Sequence, residues 1–405
     1  MVLLVMTWCC GDSQAERFET AKAFCVACWS KRRRPGKTWE GFQKALAKTP
    51  LRLLRAVATG VRQRITQLLE LHSEGWMAFG CDGSRLECPR TTELEKRLDR
   101  VGKARSGPTL WVTALVHLRT GLLWSWWFGK GANHEREHLL HLLPTLPPRA
   151  LLVMDAGFNG YLHMRTLQAG GFAFLIRASG KDILYALDRP NRSRWRDGIA
   201  YCWPEEAKAK RLPPLKLRVL HIRSKKRKDV WLLTNVYDVE RLPFAMASRY
   251  YRWRWENEGL FRTYKRTLDK VKLMSRSVRL AHREAEGALL ATQLLLAQGA
   301  YALETSPKKM APQGPNAAAN VRTPIRCSAR KVLLAIREEI QGQRRRHRFH
   351  QLLGQAVREQ RRRRTPKATR KWPRRQPAKR LKPPIILKMS GDNKALMHKL
   401  ESRAA

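Results

Sequence analysis

Trp76-Met77-Ala78-Phe79-Gly80-Cys81-Asp82-Gly83-Ser84 is an apolar run that stops on a carboxylate. A short run of this kind, closed by turn-forming residues, predicts a buried strand that delivers Asp82 at its end, with Gly83 letting the chain turn. A second run, Ala150-Leu151-Leu152-Val153-Met154, ends the same way in Asp155-Ala156-Gly157-Phe158. Each pattern alone also fits a plain turn former or helix cap. Two of them in one stretch of chain mark a pair of acids carried on strand ends.

Outward from these runs, Leu110 to Leu118 and Leu122 to Phe128 read as further strands, and Phe172 to Arg177 as another. Helical stretches from about His134 to Leu143 and from Tyr161 to Ala169 fall between them. Three strands, helix, strand, helix, strand is an α/β order, which predicts a mixed sheet flanked by helices. Residues 179–240 are strand-like and turn-rich, with Leu215, Leu217 and Val219 alternating with Lys216 and Arg218 ahead of a charged turn from Ser224 to Asp229. They read as a β-rich insertion. Helical sequence resumes near Ser248, runs to about Lys270, and returns from Ser277 to Leu303.

The third acid lies in that helical stretch. Counting about 100° per residue from Tyr251, Arg254 falls near −60°, Glu258 near −20°, Arg262 near +20° and Lys265 near −40°, while Glu256 falls on the far side near +140°. Glu258 is therefore the acid set among cations and an aromatic hydroxyl. Ordinary pairs between Glu258 and Arg254 or Arg262 on a solvated face fit the same spacing. Trp253 and Trp255 point in different directions and take no role.

The chain carries 81 Lys and Arg against 33 Asp and Glu, a formal charge of +48, which directs it toward a polyanion. From Gln341 to Lys388 there are 18 Lys and Arg against the single acid Glu359, so the remaining excess belongs to the rest of the chain. That proline-interrupted tail, including the Arg361 to Arg364 run, is expected to order only on nucleic acid. An amphipathic helix from Ala329 to Ile340 precedes it. Near the other end, residues from Ser13 to about Ser73 read as helices, with Leu51, Leu54, Val57, Val61, Ile65 and Leu68 or Leu69 on one side. Their cations, Lys31 to Arg34, Arg52, Arg55, Arg62 and Arg64, form either a DNA-facing or a merely solvated surface.

Eight scattered cysteines do not make a disulfide framework, and Cys25-x-x-Cys28 sits with Phe18 and Ala21 at helical spacing, which favours an apolar face over a zinc site. Val2 to Met6 is too short for a signal segment, and no stretch reaches the roughly 18 apolar residues of a membrane span. A soluble, cytoplasmic and nucleoid-associated protein is the expectation.

The spacing Tyr-x2-Arg-x3-Glu-x6-Lys, met by Tyr251, Arg254, Glu258 and Lys265, resembles the signature of the insertion sequence 4 family of DDE transposases. Asp82-Gly83-Ser84 and Asp155-Ala156-Gly157-Phe158 are similar to that family's two aspartate motifs. The resemblance covers about residues 74 to 303. It implies an RNase H-like catalytic domain with a β-rich insertion before the glutamate helix. It also implies that Asp82, Asp155 and Glu258 bind two Mg²⁺ ions, with Mn²⁺ as a substitute, for cleavage and joining of DNA strands. Arg254 and Lys265, with Tyr251 and Arg262, would contact DNA phosphates. Terminal inverted repeats and target DNA are the implied partners, and a synaptic homodimer the implied assembly. The expected organisation is an N-terminal helical segment (1–73), a catalytic domain (74–305) and a basic C-terminal region (306–405). A related endonuclease without strand transfer, or a basic DNA-binding protein without catalysis, remains as an alternative.

Overall fold

The computed structural model describes residues 1–28, 36–100, 107–129, 134–188, 190–191, 194–223, 229–305, 326–342, 346–357 and 382–402. Four helices, α1 (Val2–Trp8), α2 (Gln14–Cys28), α3 (Trp39–Lys48) and α4 (Leu51–Leu68), precede strand β1 (Met77–Glu87). Helix α5 (Thr92–Arg97), capped by the Thr91 hydroxyl, and the two-residue strand β2 (Asp99–Arg100) lead to the hairpin of β3 (Pro108–His117) and β4 (Leu122–Gly129). Next come α6 (Glu135–Leu142), β5 (Ala150–Met154), α7 (Tyr161–Ala169) and β6 (Ala173–Arg177). Strands β7 (Ile183–Ala186), β8 (Asp197–Cys202), β9 (Leu215–Ile222) and β10 (Val230–Thr234) form the insertion, with helix α8 (Glu205–Ala209) between β8 and β9. Helices α9 (Phe244–Trp253) and α10 (Glu256–Arg262), a π-helical turn (Thr263–Thr267) and the long α11 (Val278–Thr305) follow. Two helices (Ala329–Ile340 and Arg346–Gly354), strand β11 (Ile385–Lys388) and a last helix (Gly391–Glu401) complete a mixed α/β chain.

These elements sort into two compact units. The first comprises Met1–Ser73, Gly80–Leu146 and Trp255–Glu359, the second Glu74–Phe79, Pro147–Arg254 and Gln360–Ala405. The helices read from the N-terminal sequence thus share a unit with α10. Lys31 to Arg34, residues 224–228 of the charged turn and the Arg361 to Arg364 run lie outside the described residues.

In the first unit, β3 pairs antiparallel with β4 in a register that sets Ala114 against Trp126 and Thr113 against Trp127, and β1 is the neighbour of β3. Both faces of β3 and β4 are largely buried, which is why these strands read as continuous apolar runs rather than alternating ones. Helix α11 is the central packing element. Against it lies α1, whose apolar run Val2 to Met6 forms a buried helix that the sequence reading did not anticipate, with Trp8 Nε1 donating to the Ala291 carbonyl at 3.2 Å. In α2, Phe18, Ala21 and Cys25 are buried as the spacing suggested, and Cys28 is exposed.

Helix α4 is turned differently from the expected apolar stripe. It buries Ala58 and Ile65 and leaves Leu53 and Val57 exposed. The reason is a charge on α11. Glu286 is fully buried, and its carboxylate accepts from Arg55 Nε at 3.0 Å and Trp126 Nε1 at 2.6 Å. Burial still raises its pKa against the pull of Arg55 and Trp126. Arg55 also stacks over Trp127, and Arg62 donates to the Trp124 carbonyl. Two of the cations read as a DNA-facing or merely solvated surface, Arg55 and Arg62, are therefore half-buried and engaged with groups of the first unit.

In the second unit the strand order is β11-β7-β8-β9-β10-β6-β5, and β5 is followed by the first residues of β1. β5 and β6 are parallel, as a helical crossover through α7 requires, whereas β7 to β10 are antiparallel, with β10 closing onto β6. Arg218, which the alternation in β9 placed on a solvent face, is buried. Its guanidinium pairs with Asp197 at 2.6 Å and donates to the Leu242 carbonyl at 2.8 Å. Strand β11 was invisible to pattern reading, because Ile385-Ile386-Leu387 is too short to be distinctive before it finds its parallel partner β7.

His117 supplies a pH test of the first unit. Its Nε2 donates to the Leu71 carbonyl at 2.9 Å and its Nδ1 accepts from the Thr120 hydroxyl at 2.7 Å. Burial pushes its pKa down to about 3, so the folded ring is neutral. An unfolded histidine protonates near pH 6.5, so as pH falls from there toward 3 the unfolded state binds the proton first and stability is lost. The denaturation midpoint is expected to fall between pH 7 and pH 4, and to fall less in His117→Gln. An equal fall in both proteins would assign the acid sensitivity elsewhere.

Candidate active site

In the first unit, β1 does not end at Asp82 as the sequence suggested. It continues through Glu87, and Asp82 stands half-buried in mid-strand, its Oδ1 accepting the Gly83 N–H at 2.9 Å. Gly83 consequently makes no turn. The place a Cβ would occupy there is already filled by the Glu135 carboxylate and the Trp111 indole, so glycine is required for close approach.

Gly80 has a parallel role on the other face. An ideal Cβ at Gly80 would lie 2.5 Å from Asn257 Oδ1 and 2.6 Å from Nδ2, so only glycine lets α10 settle on this strand. Side chains two apart along a strand share a face, which puts Asp82 on the side of β1 that Asn257 covers. The strand carrying Asp82 and the helix carrying Glu258 are thereby brought together.

The two acids of α10 have opposite fates. Glu256 is buried and pairs with Arg326 at 2.8 Å, while Arg326 also donates to the Leu118 carbonyl at 2.7 Å. Glu258 is exposed, and among the described residues no ion pair to it is found, neither with Arg254 nor with Arg262. Burial of one acid orients the other outward.

The single continuous helix expected over Tyr251 to Lys265 is interrupted. α9 stops at Trp253, α10 begins at Glu256, and residues 263–267 widen into a π turn, so an angular count at 100° per residue does not carry through. Lys265, on the π turn, is half-buried beside β1. Burial lowers its pKa, and the nearby Arg85 adds to that against Glu87. Arg262 is exposed. The buried Tyr264 hydroxyl has no hydrogen-bond partner among the described residues, and burial pushes its pKa well above the ordinary range.

The second unit holds the other predicted residues. Asp155 follows β5 directly, is half-buried, and caps a short 3₁₀ turn (Ala156–Phe158) by accepting the Gly157 N–H at 2.7 Å. Tyr251 and Arg254 are both buried, with the guanidinium 5.6 Å from the centre of the Tyr251 ring. Among the described residues no three His, Cys, Asp or Glu side chains form a group able to hold a metal ion.

Residues 81–294 match the family model of the transposase DDE domain, more than half of the chain. The chain belongs to this family. The matched span of the DDE transposase opens one residue before Asp82 and takes in Asp155, the α10 acids and Lys265. A comparison with curated proteins returned no match. Among solved structures, the cryo-EM structure of a piggyBac transposase synaptic complex with hairpin DNA is similar over 89% of this chain and 70% of that one, with 12% identity and a TM-score of 0.36.

Sequence reasoning did not single out Asn257, Glu135 or Arg326. Their positions follow from approaches between segments far apart in the chain, and only Gly80 and Gly83, interrupting an otherwise bulky strand, hinted that something comes close. The division of labour on α10 is measurable. Glu256→Ala is expected to lower unfolding free energy by about 3 kcal/mol, because it removes the buried carboxylate that pairs with Arg326. Glu258→Gln should change it by less than about 0.5 kcal/mol, as for an exposed site. Equal costs in urea denaturation would contradict the assignment.

Proposed function

We propose that this DDE transposase cuts the terminal inverted repeats of an insertion sequence of the insertion sequence 4 type and joins the ends to target DNA. Asp82, Asp155 and Glu258 are its catalytic acids. What supports the reading most directly is the Gly80–Asn257 contact, which packs the Glu258 helix on the Asp82 strand while Glu256 is locked into an ion pair. The run of elements β1, β3, β4, α6, β5, α7, β6, followed by the insertion and α10, is consistent with an RNase H-like domain.

The three side chains offer only oxygen donors, which suits a hard divalent cation such as Mg²⁺ or Mn²⁺. When bound, such ions activate the attacking oxygen and stabilise the leaving one. The chain's own residues do the rest. Exposed Glu258 and half-buried Asp82 present carboxylates from rigid elements, which keeps their positions independent of loop motion. Lys265 and Arg262 hold phosphates beside the scissile bond, Lys265 with a charge already partly desolvated by its position against β1. Tyr251 and Arg254 contact DNA phosphates as well, and two copies of the chain bring two DNA ends together.

Two measurements test this. In the first, the purified protein and its Asp155→Ala and Glu258→Gln variants are given the DNA ends flanking the coding sequence, with Mg²⁺. Nicking and joining are expected to fall by at least about 10²- to 10³-fold in both variants with DNA binding intact. Nicking without joined product would reduce the activity to that of a nuclease. Binding that survives with no metal-dependent cleavage in the wild type would leave a DNA-binding protein. In the second, Lys265→Met is expected to make the dependence of log affinity on log salt shallower by about 1. Its thermal stability should not fall, since burial disfavours the lysine charge. An unchanged salt slope would remove Lys265 from the DNA contact.

A further inference from the structure

Asn257 is fully buried, and among the described residues neither Oδ1 nor Nδ2 of its amide has a hydrogen-bond partner. A buried polar group left unsatisfied costs about 1–3 kcal/mol, and a leucine, with the same branching and no polar atoms, would carry no such penalty. The amide is not in a neutral part of the core. It lies against Gly80 on the face of β1 where the next side chain is Asp82, and the residue after it on α10 is Glu258. Residues two apart on one strand face are separated by about 7 Å, so Asp82 is one of the two side chains that flank Gly80 on the face the amide covers.

We propose that Asn257 is a positioning residue for Asp82. In the DNA- and metal-loaded state its Nδ2–H group donates to the Asp82 carboxylate, complementing the Gly83 N–H already held by Oδ1, and so fixes the direction of the remaining lone pairs. Among the described residues the amide has no other hydrogen-bond partner, and the Asp82 carboxylate is an acceptor on the face that it covers. Its retention at the helix–strand contact trades stability for orientation of the acid. The proposal rests on the function proposed above.

The test is Asn257→Leu, compared with wild type and with Asn257→Ser, which restores a smaller donor. Three readouts are taken: the thermal midpoint without metal, the rise in that midpoint on adding Mg²⁺, and the rate of DNA nicking. Asn257→Leu is expected to melt no lower than wild type, to show a smaller Mg²⁺-induced rise, and to nick at least about tenfold more slowly, one charge-assisted hydrogen bond's worth of orientation. Asn257→Ser should recover part of both the rise and the rate. A lower midpoint for Asn257→Leu would show that the amide is already satisfied and structural. An unchanged Mg²⁺ response and rate would remove any positioning role. A wild type that shows neither a Mg²⁺ response nor nicking would overturn the function reading itself and this proposal with it, whereas failure confined to the Asn257 variants overturns this proposal alone.

Discussion

The arrangement of β1 and α10 in the first unit depends on one close approach, where Asn257 meets Gly80. A Cβ at position 80 would stand 2.5 Å from the amide oxygen, inside any tolerable contact distance, so helix and strand can meet at this depth only over glycine. Two consequences follow along the chain. Asp82, two residues further on the same strand face, lies beside the helix, and Glu258, the next residue of the helix, is carried on an element that cannot move away from the strand without opening the core. The Glu256–Arg326 pair adds the rotational setting, since sealing one carboxylate under Arg326 turns the other outward.

The charge of the chain is put to two uses that composition does not separate. Some cations remain on the surface, where a polyanion meets them. Others neutralise acids that α11 carries into the interior: Arg55 on Glu286, and Lys270 on Glu284 at 3.2 Å, with Glu284 also accepting the backbone N–H groups of Met274 and Ser275. A buried carboxylate is tolerable only when its lone pairs are taken up in this way. The second acid therefore pins the segment that follows the π turn, and with it the base of the helix carrying Lys265. Arg218 does the corresponding work in the second unit by joining Asp197 to the backbone at Leu242.

Much of the fold was legible as pattern. The apolar runs at 110–118, 122–128, 150–154 and 172–177 became strands close to their expected bounds, and the two helices between them formed as read. These segments are long or uniform enough for local preference and burial to agree. The reading failed where a contact overrode the local signal. β1 ran on past Asp82 because β3 lies alongside it as its hydrogen-bonded neighbour, and α4 turned Arg55 toward a buried glutamate that required it. The helix over residues 251–265 broke and then widened into a π turn against the end of β1, which no angular count over a single helix can foresee.

By itself the sequence determined the order of most elements, the placement of Asp82 and Asp155 on or after strands and of Glu258 on a helix, and the spacing from Tyr251 to Lys265. Those are properties of neighbours along the chain, set by side-chain period and turn chemistry. The tertiary structure alone decided which acid of α10 faces outward, why residues 80 and 83 are glycine, which arginines pair with buried acids, and that Asn257 is buried against Gly80 with no hydrogen-bond partner among the described residues. Each of these turns on a distance between segments remote in sequence, as with the 231 positions that separate Arg55 from Glu286. Steric exclusion and the cost of an unpaired buried charge act on that distance, and periodicity carries no record of it.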